Sequence, residues 1–549
     1  MVFVIADGCC NDASCVEVCP VDCIRPRPED PQFRTTDQLY IDPASCIGCA
    51  ACAYACPVSA IHDETDLPAH LSDFAARNRD HFVEEPLTPR FLEAPASPTA
   101  SRATDRGTTA LRIAVIGSGP AGCYTVAELT DIPGIEVTVL DRLITPFGLL
   151  RAGVAPDHPR TKLVSDFFDT VLSRPQVTCL FDVEVGVDVA IDEVLASHHA
   201  VVYAGGATDD RRLGIDGESL SGSHPAREFV AWYNGHPDFA HHTFDLNGHT
   251  AVVLGNGNVA LDVARILSST PDTLARTDIA DHALHALRRS QVREVVVVGR
   301  RGPGDAACTW PELSELGRLE KVDVRVPPTD LEIGLDAVQT GTQLRKAELL
   351  RHLATTEATG ERQITFRFGL QAVEMTGENA VEQLRLRSTR EPDRELETID
   401  TSLVLRAVGY AVAPVPGLPF DPVRHTIANL GGRVQVHETG DTIAGLYCAG
   451  WAKRGPSGVI GTNKVCAQET VAALLEDAAA GRLNPPTASV ETLLDVLRQR
   501  RTEPVGMVGW RSVDRHEREA GGRGVPPRPR RKLVDRDVMR RTAAGQGPS

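Results

Sequence analysis

The residues best suited to chemistry crowd into the start of the chain. Cys46-Ile-Gly-Cys49-Ala-Ala-Cys52-Ala-Tyr-Ala-Cys56-Pro57 has the spacing C-x2-C-x2-C-x3-C-P. That spacing wraps three thiolates around one cubane iron–sulfur cluster and sends the fourth to a neighbouring cluster. A zinc ribbon needs two separated C-x2-C pairs instead. Cys9, Asp12, Cys15 and Cys19-Pro20 repeat the pattern, with Asp12 where the second cysteine should stand. The crossing rule then assigns Cys19, Cys46, Cys49 and Cys52 to one [4Fe–4S] cluster. Cys9, Cys15 and Cys56 hold the other, with the Asp12 carboxylate at its fourth corner. Oxygen binds iron there weakly compared with thiolate, which predicts a [3Fe–4S] or a labile [4Fe–4S] cluster. Cys10 and Cys23 are surplus: either could rescue the open corner by a local shift, or both are small packed residues.

Two glycine-rich turns supply the second kind of chemistry. Leu111 to Ile116 is a β run entering Gly117-Ser-Gly119-Pro-Ala121-Gly122, and a helical pattern follows to about Thr130. A second β run, Ile135 to Leu140, ends at Asp141, placed to hydrogen-bond a ribose. The glycines let the backbone approach a pyrophosphate, and the helix N-terminus adds favourable charge. The second turn, Gly255-Asn256-Gly257-Asn258-Val259-Ala260, lies between a strand at Thr250–Leu254 and a helix from Leu261. The later strand, Glu294 to Val298, leads into Gly299-Arg300-Arg301 rather than an acid. Two guanidiniums there would grip a 2′-phosphate, which favours NADP over NAD.

The elements that position these residues follow from the wider pattern. A chain of 549 residues predicts three to four domains. After Leu111, β runs ending in glycine alternate with helical patterns, the mark of parallel sheets covered by helices. Residues 67–109 start with a helix over Leu71 to Val83 and continue, proline-rich, as a linker. Residues 482–549 are arginine-rich, and the last dozen read as disordered. The net charge is −17, which argues against nucleic acid as a partner. Residues 1–66 carry eleven Asp/Glu against three Arg, or −8 of that total. The stretch Arg515 to Arg541 carries +6 (ten Lys/Arg, four Asp/Glu), and the acidic module is expected to dock there. No apolar run is long enough to span a bilayer, and no secretory signal opens the chain. The expectation is a cytoplasmic monomer. Cys123 and Cys179 lack C-x-x-C spacing, so no redox disulfide is expected beside a flavin.

These features carry a resemblance. Residues 1–66 are similar to the seven-iron ferredoxins of actinobacteria, which place more residues between the first two cysteines and so leave Cys9 and Cys10 as alternatives. Residues 111–535 resemble adrenodoxin reductase and bacterial ferredoxin–NADP reductases. The resemblance rests on Pro146-Phe-Gly-Leu149, Gly153-Val-Ala-Pro-Asp-His158, Gly257-Asn-Val-Ala-Leu-Asp-Val-Ala-Arg265 and Gly450-Trp-Ala-Lys-Arg-Gly-Pro456. It implies an α/β protein with two Rossmann-like domains behind a small α+β two-cluster ferredoxin domain. The division implied is ferredoxin at 1–66, FAD domain at 110–248 and 411–549, NADP domain at 249–410. FAD would contact Ala121, Asp141, Leu149, Val185, Trp451, Gly458, Val459 and Ile460, and NADPH would contact Asn256 to Val259, Arg300 and Arg301. Glu312 and Gly458 would lie near the nicotinamide, although Ala306 to Pro311 departs from the family pattern.

The implied activity is NADPH:ferredoxin oxidoreduction: a hydride to FAD, then single electrons to the clusters and onward to ferredoxin or cytochrome P450 systems. Two other readings are an electron-feeding subunit like the small subunit of glutamate synthase, and a non-enzymatic iron–sulfur redox sensor.

Overall fold

Valine and isoleucine runs broken by glycine build two separate parallel sheets in the computed structural model. It describes residues 2–48, 50–83, 87, 111–159, 161–334, 341–356, 360–437, 439–500 and 502–546. The first sheet has seven strands, in the order Asn429–Leu430, Arg433–Gln435, Thr442–Cys448, Ala200–Tyr203, Leu111–Ile116, Ile135–Asp141, Val177–Phe181. The last five run parallel, and the first two join as an antiparallel edge. Val115, Val139 and Val202 are fully buried, as continuous apolar strands covered on both faces require.

The second sheet is parallel throughout: Ser223–Pro225, Leu403–Arg406, Thr250–Leu254, Glu294–Val298, Arg362–Arg367, Val322–Arg325. Its first strand, expected within 110–248, pairs instead with Leu403–Arg406. The following helix, Ala226–Tyr233, buries Phe229 and Tyr233 in the core beneath this second sheet. Three antiparallel strands, Leu370–Thr376, Gln383–Ser388 and Glu397–Asp400, extend the same half.

The cysteine-rich module is two small antiparallel ribbons. Phe3–Ile5 pairs with Ile61–Asp63, and Ile24–Arg25 with Tyr40–Ile41. So few pairs leave strand edges open, and an unpaired buried backbone group is costly. Asn78 closes them. Its Oδ1 accepts from Ile41 N at 2.8 Å and Ile5 N at 3.2 Å, while its Nδ2 donates to Ile5 O at 2.8 Å. Asn78 lies in the helix Asp73–His81, so the ordered module reaches past residue 66 into the stretch read as linker. Most of the rest of that linker, 84–86 and 88–109, lies outside the described residues.

The C-terminal stretch is helical where disorder was expected. Asp535 caps the helix Arg536–Ala543 through Val538 N at 2.9 Å, and Met539 is buried; residues 547–549 lie outside the described set. Before it, the helix Met507–Gly522 drives Trp510 into the first-sheet core, edge-on to Phe147 at 5.8 Å. Truncating a buried aromatic removes its transfer energy and leaves a cavity. Trp510→Ala is expected to lower stability by about 3–5 kcal/mol in denaturant unfolding, uncoupling the C-terminal helices from the first sheet.

Candidate functional site

The cysteines converge on two cavities inside the small module. The first is lined by Cys9, Cys10, Asp12, Cys15 and Cys56 with an apolar wall including Val58 and Ala60. The second is lined by Cys19, Cys23, Cys46 and Cys52 with Phe3, Ile41 and Ile47. Cys49 lies outside the described residues. Buried thiols grouped in an apolar cavity are the donor set that iron–sulfur clusters use, so these residues fit such a group. Crossing follows from the helices. Ser14–Glu17 and Ala51–Ala55 pack side by side, so Cys56 reaches the first cavity and Cys19 the second.

The surplus residues divide between the two cavities. Cys23 approaches Cys19 Sγ to 3.4 Å with its own Sγ, and its backbone N–H donates to the same sulfur. That hydrogen bonding holds Cys19 down to about 6. Cys10 is buried and lines the first cavity. The Asp12 carboxylate turns back on its own helix: Oδ1 accepts from Ser14 N at 3.3 Å and Oδ2 takes the Ser14 hydroxyl.

The first dinucleotide turn is built on close backbone approach. Gly117 has φ +101°, and a Cβ on Gly122 would sit 1.8 Å from Gly117 O. Asp141 fixes the turn from the next strand, its Oδ2 accepting from Ser118 N at 2.7 Å and Ser118 Oγ at 2.6 Å. Leu149 opens a short helix that the chain brings back to this turn, with Gly148 against Gly119. Val185 makes an isolated bridge to Val189. Trp451 lies 5.4 Å from the Tyr410 ring and donates Nε1–H to Ser457 O at 3.1 Å. That contact shapes the Gly458-Val459-Ile460 loop, which Thr462 and Asn463 hold through hydrogen bonds to Val459 O and Ile460 O.

The second turn is roofed by the segment that departs from the family pattern. Ala307 N donates to Asn256 Oδ1 at 3.2 Å, Cys308 N to Asn256 O at 2.9 Å, and Thr309 N to Asn258 Oδ1 at 2.7 Å. Gly257 and Val259 complete this strand-to-helix turn. Arg300 and Arg301 are exposed, and no described carboxylate pairs with either guanidinium. Their backbones are fixed by Thr389 and Gly369.

Between the turns lies a buried charge network that carried no assigned role in the sequence beyond Glu312. Arg265 pairs with Asp157 at 2.6 Å, Asp262 at 2.6 Å, Glu312 at 3.3 Å and Glu315 at 3.3 Å. His158 lies 3.5 Å from Asp262, Glu312 and Glu315 and contacts Arg265. Burial and Arg265 oppose a charge on His158, yet Asp262, Glu312 and Glu315 outweigh them and lift it to about 10. Burial and Asp262 push Glu312 up, and burial raises Glu315 to about 8. The only sequence signal was an acid and a histidine in one motif, Asp157-His158, and Asp262 and Arg265 on one helix face of another.

The small module sits on both halves of the larger unit. Gly461 N donates to Cys10 O at 2.8 Å, and Trp310 N donates to Asp37 Oδ2 at 3.0 Å. Arg77 stacks over the Trp310 ring at 4.2 Å. The arginine-rich tail is elsewhere: Arg528 and Arg531 reach Asp281, Arg530 reaches Glu517, Lys532 reaches Asp278 and Arg540 reaches Asp182. The expectation that the acidic module docks on that tail is therefore overturned, because internal carboxylates hold those cations.

Comparison with known proteins matches this layout. The 4Fe-4S dicluster domain family matches residues 7–60. A protein of Mycobacterium tuberculosis named probable ferredoxin/ferredoxin–NADP reductase is 44% identical over 97% of this chain and 94% of its own. A mitochondrial NADPH:adrenodoxin oxidoreductase of Arabidopsis thaliana is 40% identical over 79% of this chain and 95% of its own. The solved structure of Mycobacterium tuberculosis FprA in complex with NADPH superposes with a TM-score of 0.73. It is 41% identical, over 79% of this chain and all of that one.

The His158 network sets a testable pH dependence. A group whose folded value lies above its ordinary 6.5 stabilises the fold fully below that value and loses the effect as pH rises towards about 10. Thermal midpoints should fall over that alkaline interval, and His158→Gln should flatten the fall.

Proposed function

The chain belongs to the ferredoxin/ferredoxin–NADP reductase family, an α/β flavoprotein-type reductase fused to an iron–sulfur domain, and from that premise we propose how its residues divide the work. It is an NADPH-dependent oxidoreductase that passes electrons to ferredoxin-type iron–sulfur centres. The observation that carries the division is the seating of the cysteine module: Cys10 O on Gly461 N, directly after the Gly458–Ile460 loop.

FAD held at the first turn would supply the exchange between two-electron hydride chemistry and one-electron transfer. The residues of this chain bind, orient and shield. Gly117, Gly119, Ala121, Gly122 and Asp141 hold the FAD pyrophosphate and ribose at a helix N-terminus. Leu149, Val185, Trp451 and Gly458 to Ile460 line the rest of that site. Asn256 to Val259 hold the NADPH pyrophosphate, and residues 307–309, which roof that turn, shield it from water. Arg300 and Arg301 take the 2′-phosphate. Glu312, paired with His158 and Arg265, lies with Gly458 towards the nicotinamide end and keeps a proton close to it. Ferredoxin or another redox protein is the acceptor. No described helix is long and apolar enough to cross a membrane.

Cys19, Cys46, Cys49 and Cys52 hold a [4Fe–4S] cluster. Cys9, Cys15 and Cys56 hold the other, and the commitment of Asp12 to Ser14 leaves its fourth corner open. Two measurements check this reading. Charge-assisted hydrogen bonds are worth about 1.5–3 kcal/mol, so Arg300→Ala and Arg301→Ala should each raise KM for NADPH about tenfold or more and leave NADH turnover unchanged. Iron counting with EPR of the oxidised protein should give about seven irons and a [3Fe–4S] signal. An EPR-silent protein with eight irons would place Cys10 at the corner instead.

A further inference from the structure

The two cluster sites do not stand alike towards the reductase. Cys10, Val58 and Ala60, three residues lining the first cavity, belong to one apolar cluster with Ala121 and Tyr124 of the first dinucleotide turn. Cys9, Cys56 and Ile460 pack on that same cluster. The backbone contact is tighter still. A Cβ on Gly461 would stand 2.1 Å from the Asn11 carbonyl carbon and 2.2 Å from Asp12 N. Only a residue without a side chain lets the helix Thr462–Ala479 abut the loop of the first site. The second cavity is walled by the module's own Phe3, Val21, Ile41 and Ile47, and among the described residues Val465 is the one apolar reductase residue packed on the module core to which Phe3, Val21 and Ile41 belong. Its far wall faces solvent, with Ile47 54% exposed, and Tyr54 on the neighbouring helix is 91% exposed.

We infer that the two sites act in a fixed order: the Cys9/Cys15/Cys56 site receives electrons from the flavin, and the Cys19/Cys46/Cys52 site delivers them outside the molecule. The inference rests on the FAD placement proposed above. NADPH becomes NADP⁺ as its hydride carries two electrons to the flavin, and the proton is returned to solvent. Each electron then reduces one ferric iron of the first site to ferrous and passes to the second site, reoxidising the first. It leaves to a one-electron oxidant of the ferric-protein class. Two such acceptors are reduced per hydride. Gly461 and the Asn11–Asp12 peptide keep the first step short, and the thin wall at Ile47 keeps the last one short.

The test uses full-length holoprotein mixed anaerobically with NADPH, following flavin absorbance and the EPR signal of the second cluster together. In Cys15→Ala, which removes a first-site ligand, dithionite should still develop the second-site signal. NADPH should bleach the flavin at the normal rate yet develop that signal at least about tenfold more slowly. Development at the unmodified rate overturns the order. Failure of NADPH to bleach the flavin would instead count against the FAD and NADPH assignment. A second measurement needs no variant: a soluble lanthanide chelate should enhance relaxation of the second cluster's signal more than that of the first. The reverse ranking overturns the order even if Cys15→Ala does not assemble.

Discussion

The arrangement depends on one steric condition: no side chain at Gly461. The helix Thr462–Ala479 begins where the Asn11–Asp12 peptide passes, within the distance a Cβ would occupy. That one contact fixes three things at once. It sets the orientation of the first cysteine cavity, the position of the Gly458–Ile460 loop that precedes the helix, and the seam where Tyr124 and Ile460 meet Cys10 and Cys56. Protein interiors are packed too densely for such a seam to open slightly. A larger residue would move the whole module rather than widen a gap.

What holds the module there is mostly not charge. Arg34–Glu469, Lys464–Glu17 and Arg318–Asp7 cross the joint among the described residues. The first joins two largely exposed side chains, and exposed pairs contribute little after solvent screening. The first of the three also runs opposite in sign to an acidic module meeting a basic surface. Apolar contact, the Cys10 and Asp37 hydrogen bonds, and Arg77 on Trp310 make the remainder. Covalent fusion raises the local concentration of the module at this surface, so a modest interface is enough. The module's acidic excess is then left largely free of the joint.

The local motifs were legible in the sequence because their physics is local. Glycine spacing sets a turn, and C-x2-C-x2-C-x3-C sets a cluster loop, whatever the rest of the chain does. The strand-to-helix turns at Gly117 and Gly255 and the two groups of cysteines appear where those spacings put them. The misreadings involve partners distant in sequence. Asn78 looked like part of a linker because its hydrogen bonds to the module go to Ile5 and Ile41, far away in sequence. The tail arginines looked available because Asp281 and Asp182 lie hundreds of positions earlier. Ser223–Pro225 looked like part of the first half because nothing local shows that Leu403–Arg406 will take it as an edge strand.

The same distinction explains the buried ions between the two dinucleotide halves. Arg265 reaches Asp157, and Lys162 and Lys532 both reach Asp278, each pair joining elements far apart in the chain. Burying such groups carries a large desolvation cost that their attraction only offsets. They are therefore poor sources of net stability. Their geometric demand is strict, because a slipped domain would leave an unpaired charge in a low-dielectric interior, which is several-fold worse than the pair. In a reductase built from two dinucleotide halves, that demand is useful. The ionic network penalises misalignment of the two dinucleotide halves, and the Gly461 contact does the same for the cluster module.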